Sequence, residues 1–456
     1  MDKTSKLNSF LERYTNVAQA QNKIDPRVYE KWNVKRGLRN SDGTGVVVGL
    51  TEVGEVHGYI MDEGDKVPAP GRLLYRGYDV KDLVTGFQKD KRYGFEEATY
   101  LLLFGSLPTS SELAEFTGLL SDLRELPNGL IEDSILKFPS RNIMNKLART
   151  VLVYYSYDED PENLSISNIL RQSVELIARF PVLTAYSYQA MRYNYYNDSL
   201  FLHPPQPELS TAENFLYMVR QDSQFTPLEA ELLDLALVLH AEHGGGNNST
   251  FSIHLVSSAE TDTYSSIGAA IGSLKGRKHG GANIKVWEMF QEIKLNVQNW
   301  EDDLEVSEYL AKLLKGEAFD HSGLIYGMGH AVYTLSDPRA ELIKEKAREL
   351  AKEKGREEEF ELYNSIERLT PEVFADVKGY RKEICANVDF YTGFVYDMLN
   401  IPPELYTPIF AIARIAGWCA HRVEELVSGG KIIRPAYKAV HNRRDYLDME
   451  SRISEE

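Results

Sequence analysis

Cysteine is nearly absent. The 456-residue chain holds two, Cys385 and Cys419. That excludes a disulfide framework in practice and suits a reducing compartment. Long apolar runs are missing too, and none reaches the ~18 uncharged residues of a membrane span. The longest late stretch, Pro408–Ala420, carries Arg414 in its middle. The N-terminal MDKTSKLNSFLERY mixes charges of both signs and has no apolar core. It reads as neither a secretory signal nor a transit peptide. Positive charge is in the minority: 51 Lys and Arg face 68 Asp and Glu, a formal net charge of −17. Such an acidic chain is a poor match for non-specific nucleic-acid binding. A local basic pocket for an anionic ligand stays open. There is no internal repeat, no low-complexity tract and no nucleotide-binding segment. These absences predict a cytoplasmic protein with neither nucleic-acid nor membrane partners.

What is present is length and helical periodicity. The chain is too long for one simple core, so two lobes are expected. Hydrophobic residues make up 43%, which suits a globular fold. Residues 1–40 read as polar helix. Residues 44–80 contain TGVVVGLTEV, HGYIM and GRLLYRGYDV, short β-branched or aromatic runs that predict two or three small antiparallel strands. From Phe95 onward apolar residues recur at three- and four-residue spacing, predicting helices near 96–104, 110–124, 142–156, 166–195 and 211–220. Thr226-Pro227-Leu228-Glu229 has the form of a capped helix start. That helix ends at Gly244-Gly245-Gly246. Further helices are expected near 249–258, 263–275, 284–294, 300–318, 339–355 and 405–428. A turn is expected at Thr370-Pro371. The fold class is therefore mainly α, with a small N-terminal β element.

Several polar groups stand out against this background. His279 lies in GRKHGGAN, where the Gly-Gly pair lets backbone approach a ligand. His240 and His243 close a helix whose dipole favours a positive imidazolium, and GGGN follows them. Two capping histidines would look the same. The spacing HAEH, with Glu242 between, contains metal-ligand types but is not the His-Glu-x-x-His of zinc proteases. His330 sits in GMGHAVY, and Arg339 follows in DPRA. A histidine and an arginine together suit a carboxylate or carbonyl substrate, since Arg can grip a carboxylate with two parallel hydrogen bonds. Arg339 could equally be an exposed helix residue. Asp389, in ANVDFYTG, is either a turn aspartate or a partly desolvated base. Arg414 lies among Ile409, Ile412, Ile415 and Trp418 on an apolar helix. A charge there needs a partner, so an anion facing it is expected.

Taken in order, His243-GGGN, GRKHGGAN, GMGHAVY with DPRA, ANVDFYTG, the Arg414 helix and IIRP resemble the citrate synthase family. The resemblance runs loosely from about Leu73 and tightly from His240 to Pro435. It implies a two-domain, mostly helical homodimer, with a large domain of 1–279 plus 392–456 and a small domain of 280–391. It implies condensation of oxaloacetate with acetyl-CoA and hydrolysis of the citryl thioester, with no metal or redox cofactor. By resemblance, Asp389 is the base, His279 holds the thioester oxygen and His330 polarises the oxaloacetate carbonyl. His243, Arg339 and Arg414 hold oxaloacetate, and Arg434 reaches the partner subunit's site. Gly327, Met328 and Gly329 would lie against CoA.

The chain departs from the family pattern at three places. Gly244 stands where some members have an acidic residue, and Thr334 where some have a basic one. Arg277-Lys278 brings extra charge before His279, which suggests contact with CoA phosphates. The nearest rival reading is 2-methylcitrate synthase, acting on propionyl-CoA with the same residues. One methylene is discriminated by only ~1–3 kcal/mol of pocket shape. Other rivals are a metal-dependent hydrolase built on His240 and His243, an inactive helical scaffold, and a citrate-cleaving lyase. The lyase would want a nucleotide-binding segment that the chain lacks.

Overall fold

The computed structural model describes residues 3–40, 43–62 and 65–452. Its architecture is a packed assembly of α-helices with one small antiparallel sheet near the N-terminus. The sheet orders β1 (Gly54–Asp62), β2 (Asp65–Tyr75) and β3 (Tyr78–Asp79), as the runs in residues 44–80 predicted. It matters because it buttresses a loop. Gly71 N–H donates to Ser336 Oγ at 3.2 Å, and Tyr333 Oη donates to the Arg72 carbonyl at 3.4 Å. The loop bearing His330 is thereby fastened to the sheet. At the other end of β2, the buried Tyr75 hydroxyl donates to the Val238 carbonyl at 2.7 Å and tethers the helix before His243.

The helix Pro227–His240 begins as its sequence demands. Thr226 Oγ1 accepts from Glu229 N–H, and Glu229 Oε2 accepts from Thr226 N–H at 2.9 Å. Such a cap stabilises the helix by ~1 kcal/mol. Nearly every residue of this helix is buried, so it runs through the core rather than over it. The helix Tyr406–Val427 lies beside it, buried from Tyr406 to Arg422 except at the half-buried Phe410. It packs also on the Ile166–Tyr196, Asn248–Ser257 and Thr263–Leu274 helices. This central helix carries Arg414 at its middle.

One local expectation fails. The structure has no turn at Thr370-Pro371; the helix Glu357–Lys378 runs through Pro371. Proline in a helix interior costs ~3 kcal/mol, because it donates no hydrogen bond and crowds the preceding turn. Burial of Phe360, Leu362, Tyr363, Ile366, Leu369 and Val373 along one face outweighs that. Each such side chain contributes about 1.5–3 kcal/mol.

Candidate active site

Arg414 is fully buried. Its Nε donates to the His240 carbonyl at 2.7 Å, while Nη1 and Nη2 are buried without a protein partner. Burial pulls its pKa down to about 10, which still leaves it charged at neutral pH. His243 Nε2 is likewise buried and unpartnered. Buried polar atoms of this kind are costly unless something pairs with them. The anion expected opposite Arg414 has its donors in place.

Arg339 is buried rather than exposed. Asp337 caps the helix Pro338–Lys354 and also binds the Arg339 guanidinium, Oδ1 to Nε at 3.0 Å and Oδ2 to Nη2 at 2.8 Å. Although burial works against the charge, the Asp337 carboxylate holds the Arg339 pKa above its ordinary value. The same carboxylate accepts from Val388 N–H at 3.3 Å, beside Asp389. Tyr333 packs between these groups. Its ring stacks on His330 with centroids 4.8 Å apart, and the Arg339 guanidinium carbon lies 5.6 Å from its centroid. The His243 and His330 rings meet edge-on at 5.2 Å.

His330 has a defined tautomer. Its Nδ1 accepts from Val332 N–H at 3.1 Å and Tyr333 N–H at 3.2 Å. A neutral ring then carries its proton on Nε2. Burial, helped by Arg339, lowers the His330 pKa to about 4, so the ring is neutral. His279 follows the Thr263–Leu274 helix, in a turn closed by Gly280 N–H on the Leu274 carbonyl at 2.9 Å. Its Nε2 lies 3.1 Å from Ser249 Oγ, which accepts from Trp418 Nε1–H at 3.1 Å. Burial and then Arg414 lower its pKa to about 4. Phe410 links the two halves, 6.1 Å from His279 and 4.8 Å from the Arg414 guanidinium carbon.

His240 and His243 are not the positive imidazolium groups that a helix C-terminus would favour. Burial, reinforced by Arg339, lowers His240 to about 3 and His243 well below the usual imidazole range. Both rings are neutral, because desolvation and two nearby guanidinium groups outweigh the helix C-terminus.

Asp389 sits in the first turn of the helix Val388–Met398, whose cap is Asn387. Burial raises its pKa to about 6, against the pull of Arg339. The loop Gly327–Gly329 is laced to the segment that leads into the Asp389 helix. Asn387 N–H donates to the Gly327 carbonyl at 2.8 Å, and Gly329 N–H to the Cys385 carbonyl at 2.8 Å. Gly327 has φ +82°, and a Cβ there would lie 2.9 Å from the Phe390 ring, so only glycine fits.

His243, His330, Arg339, Arg414, Asp389 and His279 thus form one connected set. Arg277 and Lys278 are exposed beside His279. Arg434 does not join the set. It is exposed on the segment after the central helix. Sequence reasoning missed Asp337, Tyr333, Ser249 and Phe410. Asp337 had a readable signal, a carboxylate two residues before an arginine at a helix start. The others acquire meaning only through packing.

Comparison with known proteins gives a consistent picture. Residues 41–436 match the family described as citrate synthase, C-terminal domain. The citrate synthase of Haloferax volcanii is 35% identical over 370 residues, 80% of this chain and 88% of that one. A 2-methylcitrate synthase of Shewanella oneidensis is 32% identical, over 80% of this chain and 87% of its own. The crystal structure of citrate synthase from Pyrobaculum aerophilum superposes with a TM-score of 0.73 at 29% identity, covering 89% of this chain and 94% of that one. A ternary complex of carboxymethyl coenzyme A and oxaloacetate with the citrate synthase of Thermoplasma acidophilum gives a TM-score of 0.73 at 26% identity, covering 92% and 99%.

Proposed function

Because the chain belongs to the citrate synthase family, we propose that it condenses acetyl-CoA with oxaloacetate and hydrolyses the citryl thioester to citrate and CoA. One observation carries this reading for the site. Unpartnered buried guanidinium donors on Arg414 and an unpartnered ring nitrogen of His243 accompany an aspartate whose pKa burial raises to about 6.

The chemistry follows from the residues. The methyl group of a thioester is a very weak acid, and a carboxylate alone does not deprotonate it. Asp389 takes the proton while His279 donates to the thioester oxygen, where negative charge appears. Trp418 occupies one lone pair of Ser249 Oγ. The one Ser249 proton has two acceptors in reach, Asn247 Oδ1 at 3.0 Å and His279 Nε2 at 3.1 Å, and in this reading it turns to His279 for the reaction, which leaves the imidazole proton on Nδ1 for the substrate. A positioned donor in a dry site is worth ~10²–10³ in rate, and a positioned base about 10²–10⁴. The enol carbon attacks the oxaloacetate carbonyl carbon, and His330 Nε2–H delivers its proton to the forming alkoxide. Arg339, Arg414 and His243 hold the carboxylates of oxaloacetate and keep its carbonyl near the nucleophile.

In this reading residues 1–279 and 392–456 form the large domain and 280–391 the small one. Closure between them would exclude water until condensation is complete. The chain works as a homodimer in which Arg434 completes the site of the other subunit. Arg277 and Lys278, exposed beside His279, meet CoA phosphates, and Gly327–Gly329 lies against the CoA body. An alanine replacement of both basic residues that left CoA affinity unchanged would reject that contact. No metal or redox group takes part.

The test is thiol release from acetyl-CoA with and without oxaloacetate, repeated with propionyl-CoA. Release that depends on oxaloacetate and favours acetyl-CoA is expected. Faster turnover of propionyl-CoA would make the chain a 2-methylcitrate synthase, a reading that the Shewanella relative keeps open. No release with either would reject both.

A further inference from the structure

Behind the His243 loop lies a row of groups that the reaction does not use. Glu242 and His421 are fully buried, and Glu242 Oε1 lies 3.1 Å from His421 Nε2. The same oxygen accepts from Gly244 N–H. On the far side of the ring, His421 Nδ1 is 3.1 Å from His254 Nε2. His254 Nδ1 is 2.8 Å from Glu425 Oε2. The row therefore reads Glu242, His421, His254, Glu425, a carboxylate at each end and two imidazoles between.

Proton bookkeeping decides its state. A carboxylate only accepts, so His254 Nδ1 carries a proton toward Glu425, and the 3.1 Å approach of Glu242 Oε1 favours a proton on His421 Nε2 as well. With one proton per ring, two bare lone pairs would then face each other across 3.1 Å in a buried site. A third proton between the rings removes that clash and makes His421 a cation that pairs with the Glu242 carboxylate at 3.1 Å. It gives the pair a single positive charge between two carboxylates. Glu424 Oε2, 3.5 Å from His421 Nδ1, adds a third. Burial alone would strip the extra proton, but Glu242 and Glu424 outweigh it and push His421 up to about 9.

We propose that His421, protonated on both ring nitrogens, is a positioning residue for oxaloacetate: it anchors Glu242, which fixes the turn that carries His243. The packing leaves Glu242 one place to be. A Cβ on Gly54 would lie 2.6 Å from Glu242 Cγ, and one on Gly417 would lie 2.5 Å from Oε2. The carboxylate is clamped between two glycines, and the Gly244 amide and His421 take one of its oxygens. His243 sits between Glu242 and Gly244. Without the imidazolium, a buried carboxylate loses its nearest cation, which is costly enough to displace the loop. The N-terminal segment is tied in as well, since Glu52 N–H donates to Glu424 Oε1 at 2.6 Å. His421 touches no substrate and acts only through Glu242.

This inference rests on His243 being an oxaloacetate ligand, and its test separates the two. Neutron diffraction from deuterium-exchanged wild-type crystals at about pH 8 should show deuterium on both nitrogens of His421 and on Nδ1 alone of His254. A bare nitrogen on His421 would overturn the proposal. So would a metal ion between the rings, which His254, His421 and Glu424 could hold. That measurement stands whatever the substrate proves to be. In kinetics, His421→Gln and Glu242→Gln should each raise KM for oxaloacetate about tenfold or more, with kcat within about threefold. The KM for the acyl thioester should stay unchanged. The double variant should be no worse than the worse single one, because the pair acts as a unit. Equal loss for both substrates, or full additivity, would leave His421 a core residue only. Should His421→Gln not fold, His254→Gln, at the outer end of the row, should show the same selective rise in KM. A normal KM in that variant would sink the role.

Discussion

At Asp389 two influences oppose each other. A helix N-terminus and the Arg339 guanidinium favour the carboxylate, while burial favours the acid, and burial prevails. As the proposed base, Asp389 must be charged to act, and with a pKa of about 6 it fills with a proton below that pH. His279 and His330, both lowered to about 4, stay neutral across the same window. The acid limb of kcat/KM should therefore fall near pH 6 with a slope of one. A limb near pH 4 would mean that Asp389 is not the base. The raised pKa has a cost in stability as well. A carboxyl that prefers its proton when folded stabilises the fold at low pH, and that contribution is lost as pH rises through about 6. Asp389→Asn should therefore cut turnover by about 10³ or more. It should still bind oxaloacetate and raise Tm at neutral pH by about 1–3 °C. Calorimetry and binding on the same sample would check both, and a fast or destabilised variant would contradict the assignment.

At the scale of elements, the start of the Pro338–Lys354 helix performs three tasks with one side chain. Asp337 caps the helix, neutralises Arg339 and accepts from Val388 N–H beside Asp389. Removing one partner of a buried pair costs ~3–5 kcal/mol, and losing the cap adds ~1. Asp337→Ala should therefore destabilise the chain by several kcal/mol in urea unfolding and weaken oxaloacetate binding. A loss under about 1 kcal/mol would show that the pair is dispensable. Here the sequence was half legible. Asp337-Pro338 signalled a helix start, and the capping box at Thr226–Glu229 formed as read. Neither pattern could say that the first helical arginine points inward, because that depends on the helices packed over it. Thr370-Pro371 misled for the same reason. A local breaker was overruled by an apolar face that only the folded helix presents.

For the whole molecule, the exposed tail and the buried site pose a question of assembly. The active form is proposed as a dimer sharing Arg434, so two defective chains should rescue one another. Neither Arg434→Ala nor Asp389→Asn homodimers should turn over well. A mixture refolded together should recover about a quarter of wild-type activity, since half the dimers are mixed and each holds one intact site. No recovery would place Arg434 outside catalysis. No helix among the described residues is long and apolar enough to cross a membrane, as the absence of apolar runs foretold. The sequence by itself determined the helical class, the small sheet and the histidines, arginines and aspartate to watch, because periodicity and glycine-flanked polar residues are local properties. Only the tertiary structure decided that those histidines are neutral, that Asp389 is a stronger base than a free aspartate, and that Glu242 and His421 meet. Charge state depends on burial and on neighbours in space, and the groups that set it here, such as Glu242 and His421, lie far apart along the chain.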